Sequence, residues 1–192
     1  MVKQESGFKV IAVLVIIAMF SAVLLAYVNT VTMGPIEANK KAEMKKAITI
    51  VLQGVDLQNI PETPEQLEID NSVVQYFTAK SDSGSLLGTA FMVKGPNGFS
   101  GDFDVMVGVA ADGSVIDTYV LQHKETPGLG DKMAHEPFKS QFRKKNLQNA
   151  KWSVKKDGGD IDALTAATIT SRAFTQGVKR ALLAFDKLAE DK

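Results

Sequence analysis

The chain has no cysteine among its 192 residues. That excludes disulfides, thiolate chemistry, lipidation of a cysteine and cysteine-ligated iron–sulfur clusters. Histidine is nearly absent too: His123 and His135 are the whole complement, which argues against a zinc site built by the protein. Net charge is also missing, with 22 basic and 22 acidic side chains. Setting aside Lys3, Lys9 and Glu5 leaves 20 basic and 21 acidic residues from Glu37 onward, a balance near −1 that gives no electrostatic case for nucleic acid. No constellation for general acid–base or nucleophilic catalysis stands out, so no catalytic residue and no metal ligand is assigned. Any redox chemistry must rest on a borrowed cofactor.

Charge is also absent from one long stretch. No charged residue occurs between Lys9 and Glu37, and Val10 to Val28 is almost wholly apolar. At about 1.5 Å per residue this run matches a hydrocarbon core of about 30 Å. A secretory h-region runs about 7–15 residues before a small-residue cleavage site. The run here is longer and no clear Ala-x-Ala site follows, so a retained transmembrane helix in contact with lipid is expected over residues 10–31, behind a cytoplasmic tail of residues 1–9. Lys3 and Lys9 favour that orientation by the positive-inside rule, while Lys40, Lys41, Lys45 and Lys46 weaken it.

The remainder reads as an α+β chain: one transmembrane helix, then a β-rich domain with flanking helices. Gly34-Pro35 is expected to break the first helix, and Glu37 to Gln53 to form a second, amphipathic one with Ala47, Ile48 and Val51 on its apolar side. Pro61 and Pro64 mark a loop, so residues 32–64 form a stalk and loop, and residues 65–192 the domain. Val73–Thr78, Thr89–Val93, Phe103–Val109 and Val115–Gln122 read as strands of a largely antiparallel sheet, the last two joined by a turn at Ala111-Asp112-Gly113. A short helix is expected over Pro137–Phe142, a further strand at Trp152–Val154, and core packing for Phe138, Phe142 and Trp152. Phe174, Val178, Ala181, Phe185 and Leu188 recur at helical spacing and predict a helix over Ser171–Leu188.

Two loops carry candidate chemistry. The run Asp162-Ala-Leu-Thr165-Ala166-Ala167-Thr168, closed by Ile169-Thr170-Ser171, places small hydroxyl residues at the mouth of that helix. Unpaired N–H groups and the helix dipole favour a phosphate there, with Thr170 or Ser171 as N-cap. An ordinary Thr/Ser-rich helix start has the same local composition. The second loop is His123-Lys-Glu125-Thr126-Pro127-Gly128-Leu129-Gly130. Its proline stiffens the chain, and Gly128 and Gly130 allow close approach of backbone to a flat ring; a simple Pro-Gly turn is the other reading.

The Asp162-x-x-Thr165-Ala166-Ala167-Thr168 spacing resembles the flavinylation motif of the RnfG/NqrC family: Asp, two variable residues, Ser or Thr, Gly, Ala, Thr. Ala166 stands where the family has Gly. Glu125 through Gly130 matches the Glu-Thr-Pro-Gly-Leu-Gly signature of the same FMN-binding domain, and the chain's modest length fits the Rnf branch. The resemblance implies FMN joined through its phosphate to the Thr168 hydroxyl. It implies a flavin site drawn from Asp162, Thr165, Ala166, Ala167, Thr170 and Ser171, with Glu125, Thr126, Pro127, Gly128, Leu129, Gly130 and His123. Asp162 would serve recognition by a flavin transferase or orient its loop, or be simply a solvated loop carboxylate. His123 and Lys124 would tune the flavin or simply sit solvated at a sheet end. The implied protein is a non-autonomous redox subunit of an Rnf-type complex in the cytoplasmic (inner) membrane, with its flavin domain extracytoplasmic. Its partners would be the other membrane subunits, and the complex would couple ferredoxin oxidation and NAD reduction to Na⁺ or H⁺ transport. The alternatives are a membrane-tethered binding or scaffold module without cofactor, and a stand-alone flavin reductase.

Overall fold

The apolar run does fold as a helix, but a longer one than the sequence predicts. In the computed structural model, which describes residues 7–55, 60, 61, 63–69 and 72–190, helix α1 spans Gly7–Val51. Residues 1–6 of the expected tail and several of the expected loop (56–59 and 62) lie outside the described residues. The chain divides into two units, 1–43 and 44–192. α1, most of which belongs to the first, is long and apolar enough to cross a membrane, and its most apolar window buries nothing. The expected break at Gly34-Pro35 does not occur: Pro35 lies inside α1. A proline removes one hydrogen bond, here to the Val31 carbonyl, and in an apolar helix that loss stays local because the i→i−4 bonds on either side continue. Just upstream, the Thr30 and Thr32 hydroxyls donate to the carbonyls of Ala26 at 2.9 Å and Val28 at 2.8 Å.

The second unit is built on a five-stranded antiparallel sheet in meander order: β1 Glu65–Ile69, β2 Ser72–Lys80, β3 Leu86–Gly95, β4 Phe103–Ala110 and β5 Val115–Gln122. Four of these are the expected strands. β1 is additional: an edge strand with two glutamates and mostly exposed side chains, defined by pairing with β2 rather than by an apolar pattern. The β4–β5 turn forms as expected, held by Asp112, whose carboxylate accepts from Ser114 N–H at 2.9 Å and Ser114 Oγ at 2.6 Å. Those bonds hold the Asp112 carboxyl below the usual carboxylate range.

Both faces of the sheet are covered. On one lies helix α3, Thr168–Glu190, whose Phe174, Val178, Ala181, Leu182 and Phe185 pack on Phe91, Val93, Phe103, Val105 and Val107. On the other, the end of α1 and the residue that follows it set Ala47, Ile48, Val51 and Leu52 against Phe77, Ala79, Ala90 and Met106. β4 is therefore buried on both sides, where its alternating pattern predicts burial on one. Gly108 makes this possible, since a Cβ there would overlap the Val51 carbonyl.

Between β5 and α3 the chain runs through a 3₁₀ turn at Gly130–Ala134, helix α2 at Glu136–Lys139 and a 3₁₀ turn at Ser140–Phe142, which together replace the expected Pro137–Phe142 helix. Buried Asp117 of β5 anchors this segment through Arg143 at 2.8 Å and Lys139 at 3.4 Å. Phe138, Phe142 and Trp152 are core residues, as expected. Trp152–Val154 is not a strand. Trp152 donates its indole N–H to the Asn146 carbonyl at 2.9 Å and stacks on Phe142, while Val154 makes only an isolated bridge with Ile161. Among the described residues no neighbouring strand runs alongside to extend that bridge into a ladder.

Candidate functional site

The two loops singled out in the sequence meet, and each is built around the same kind of turn. In the first, Leu129 N–H donates to the Thr126 carbonyl at 3.1 Å, with φ +78° at Gly128. In the second, Ala167 N–H donates to the Leu164 carbonyl at 3.1 Å, with φ +61° at Ala166. A positive φ at the third residue is the mark of a type II turn, with proline favoured at the second, where Pro127 stands. Gly128 thus supplies a backbone conformation, and Ala166 adopts that conformation although it carries a Cβ.

A buried carboxylate joins the loops. Glu125 is 6% exposed, and its Oε2 accepts from Thr170 Oγ1 at 3.0 Å. Its Oε1 accepts from Ser100 N–H, on the β3–β4 loop, at 3.4 Å. Gly130 makes room for this side chain, because a Cβ at 130 would collide with the Glu125 carboxylate.

Helix α3 starts at Thr168, three residues before the expected Ser171, and this changes the capping. Ala167 occupies the cap position: its carbonyl accepts from Ser171 N–H at 3.0 Å. The two hydroxyls expected to cap are engaged elsewhere. Thr170 binds Glu125, and Ser171 Oγ accepts from Leu164 N–H at 2.9 Å while donating to the Ala167 carbonyl at 2.9 Å. The first-turn N–H groups of α3 lack intrahelical acceptors, and Thr168, Ile169 and Thr170 line a cleft.

That cleft, of about 310 Å³, is bounded by Phe99, Glu125, Thr126, Leu129, Gly130 and residues 166–170. It lies at the small end of the range for small-molecule sites, about 300–1,000 Å³. Its walls are apolar in an unusual way. Among the described residues beyond α1, five large apolar side chains are exposed, and three of them, Phe99 (69%), Leu129 (42%) and Ile169 (46%), line this cleft. Exposed apolar side chains are thus gathered at one concave place, the arrangement that ligand-binding grooves present.

At the edge of the cleft the Thr168 hydroxyl accepts a hydrogen bond of 3.2 Å from Lys156 Nζ. Lys156 sits in a 3₁₀ turn, Lys155–Asp157. The neighbouring charges are paired. Arg172 grips both oxygens of Asp157 at 2.7 and 2.8 Å, holding that carboxyl below the usual range. Lys155 reaches Asp162 at 2.8 Å. Asp162 also exchanges backbone hydrogen bonds with the Gln141 side chain, at 2.7 and 3.3 Å, which ties the entry of the threonine loop to the segment after α2.

Of the expected site residues, Glu125, Thr126, Leu129, Gly130, Ala166, Ala167, Thr168 and Thr170 share the cleft. Pro127, Gly128, Thr165, Asp162 and Ser171 stand outside its lining, in the turns and contacts just described. His123 and Lys124 are exposed and also outside it. Phe99, Ile169, Ser100 and Lys156 come in addition. An aromatic inside the turn-rich stretch Gly98–Gly101 is a faint signal for Phe99, but nothing in the sequence marks Lys156.

A family model described as FMN-binding domain matches residues 98–183, the span that holds every residue lining the cleft. The fold and the site therefore define a flavin-binding domain of the FMN type. Over most of the chain the similarity is more specific. The G subunit of the ion-translocating oxidoreductase complex of Cereibacter sphaeroides is 32% identical over 177 residues, covering 88% of this chain and 80% of that one. Its counterpart from Shewanella baltica is 32% identical over 193 residues, covering 95% and 89%. Among solved structures, NqrC of Shewanella oneidensis shares the fold, with a TM-score of 0.56 and 20% identity over 76% of this chain and 93% of that one. The chain belongs to the RnfG/NqrC family, alongside the G subunits of ion-translocating oxidoreductase complexes.

Proposed function

We propose that this protein is the flavin-carrying electron relay of an Rnf-type membrane complex, with FMN esterified through its phosphate to Thr168. The observation that carries the reading is the placement of Thr168. Its hydroxyl stands at the first turn of α3, beside an ammonium and at the rim of a cleft with exposed apolar walls. These are the parts a flavin phosphoester needs. In the net reaction the threonine O–H bond and one P–OH bond of FMN break, the Oγ–P bond forms and water leaves, so the chain gains the mass of FMN less one water. The N–H groups of the first turn face negative charge, and Phe99, Leu129 and Ile169 offer apolar surface to a flat ring. Thr126 and the Glu125 carboxylate supply polar contacts at the opposite loop.

FMN when bound supplies one- and two-electron transfer. The protein's share is to hold and orient the group, and covalent attachment suits a relay because the carrier then stays in place between turnovers. The relatives' description as subunits of an ion-translocating oxidoreductase complex supports a place among other Rnf-type membrane subunits. We place residues 10–31 of α1 in the lipid, the N-terminus in the cytoplasm and the flavin domain outside. A flavin transferase would install the cofactor. The electron path would run from ferredoxin toward NAD, with the free energy released used for Na⁺ or H⁺ transport.

The test is Thr168→Val in the full chain, produced with the transferase. The wild-type chain should show a flavin band on a denaturing gel, and the variant none. A band of full intensity in the variant would sink the assignment.

A further inference from the structure

We infer that Lys156 is the counter-ion of the phosphoryl group at Thr168, an inference that rests on the flavin reading above. Three basic side chains meet at this corner. Lys155 pairs with Asp162 at 2.8 Å, and Arg172 pairs with both oxygens of Asp157. Lys156 instead donates to a neutral hydroxyl, at 3.2 Å. Asp157 also lies close enough to feel Lys156, but its two oxygens are taken by Arg172. An ammonium gains more from an anionic oxygen than from a hydroxyl. Esterification creates that oxygen at this spot: the bridging atom is Thr168 Oγ1 itself, and the phosphodiester spreads one negative charge over oxygens a single phosphorus atom further on.

The backbone under Lys156 is fixed. Lys155 N–H donates to the Ile161 carbonyl and Asp157 N–H to that of Val154, both at 2.8 Å. The bidentate Arg172–Asp157 pair ties the turn to the first turns of α3. Only the lysine side chain has to adjust when the group arrives. Lys156 lies twelve residues before Thr168, outside both loop signatures.

Full-length wild type, Lys156→Gln, Lys156→Arg and Thr168→Val chains would be produced with a limiting amount of transferase. Flavin content is read by intact mass, and the phosphodiester by its ³¹P resonance. Lys156→Gln should lower the yield about fivefold, the size an exposed ion pair supports, while Lys156→Arg restores it. The difference between wild type and Lys156→Gln should shrink at high salt. A full yield in Lys156→Gln with a displaced ³¹P resonance supports the same role, since the charge then acts on the finished ester. A full yield with an unchanged resonance overturns it, and so does a Lys156→Arg yield as low as that of Lys156→Gln. If Lys156→Gln fails to fold, Lys156→Met, uncharged and of similar length, is read for yield and resonance by the same criteria. Failure of the flavin reading looks different: wild type gains no FMN mass, or Thr168→Val keeps it.

Discussion

The Glu125 carboxylate accepts a hydrogen bond from Thr170 Oγ1 at 3.0 Å, joining residues 45 positions apart. Through this one contact the loop leaving β5 and the first turn of α3 become two walls of a single cleft. Truncating Glu125 leaves the buried Thr170 hydroxyl without its partner and empties the space that Gly130 keeps open. Glu125→Ala is expected to cost about 1–3 kcal/mol, visible as a lower melting temperature of the detergent-solubilised chain. Glu125→Gln, which can still accept from Thr170, should cost less. Equal melting of all three proteins would show that the contact holds nothing together.

Ala166 stands where the family motif has glycine, and its φ of +61° explains why glycine suits the position. A left-handed conformation costs an alanine roughly 1–2 kcal/mol, partly offset by the greater unfolded-state freedom of glycine. Ala166→Gly should therefore stabilise the domain by about 0.5–1 kcal/mol. Ala166→Val, β-branched at a positive φ, should destabilise it. Thermal melting of the two variants against wild type checks both signs.

Gly108 lies under the end of α1, with Val51 backbone where a side chain would be. Gly108→Ala has to push α1 from the sheet or bend β4, at a cost of about 1–3 kcal/mol. The same substitution at Gly54, where nothing lies within 4 Å but φ is +87°, tests backbone strain alone. Denaturant unfolding should rank Gly108→Ala as the more damaging of the two.

Tyr76 donates its hydroxyl to Glu65 at 2.8 Å, and burial together with this carboxylate pushes its phenol up to about 12 from an ordinary 10.0. A proton held more tightly in the folded state stabilises that state fully below the unfolded value. The contribution is lost as pH rises from about 10 through about 12. The domain should lose stability across that window, and Tyr76→Phe should flatten the loss. Phenolate absorbance, with unfolding followed in parallel, measures both.

Much of this architecture is legible in the sequence because it rests on local chemistry. Alternating β-branched residues set out four strands, and the Phe174–Leu188 spacing set out α3. The departures come where tertiary context overrides a local rule. Pro35 removes one hydrogen bond while the bonds on either side continue, so α1 runs on. β1 has an ordinary polar sequence and becomes a strand by pairing with β2. α3 begins at Thr168 because the hydroxyls suited to capping are bound to Glu125 and to the loop's own backbone. At the site, motif spacing marks Thr168 and the Glu125 loop, whereas Phe99 and Lys156 enter through contacts that only folding creates.

The most direct measurement is the intact mass of the chain isolated from its own membrane, followed by fragmentation of the peptide spanning Asp162 to Arg172. The expected result is a gain equal to FMN less one water, carried by Thr168. An unmodified mass, or the same gain on a different residue such as Thr165 or Thr170, would contradict the account.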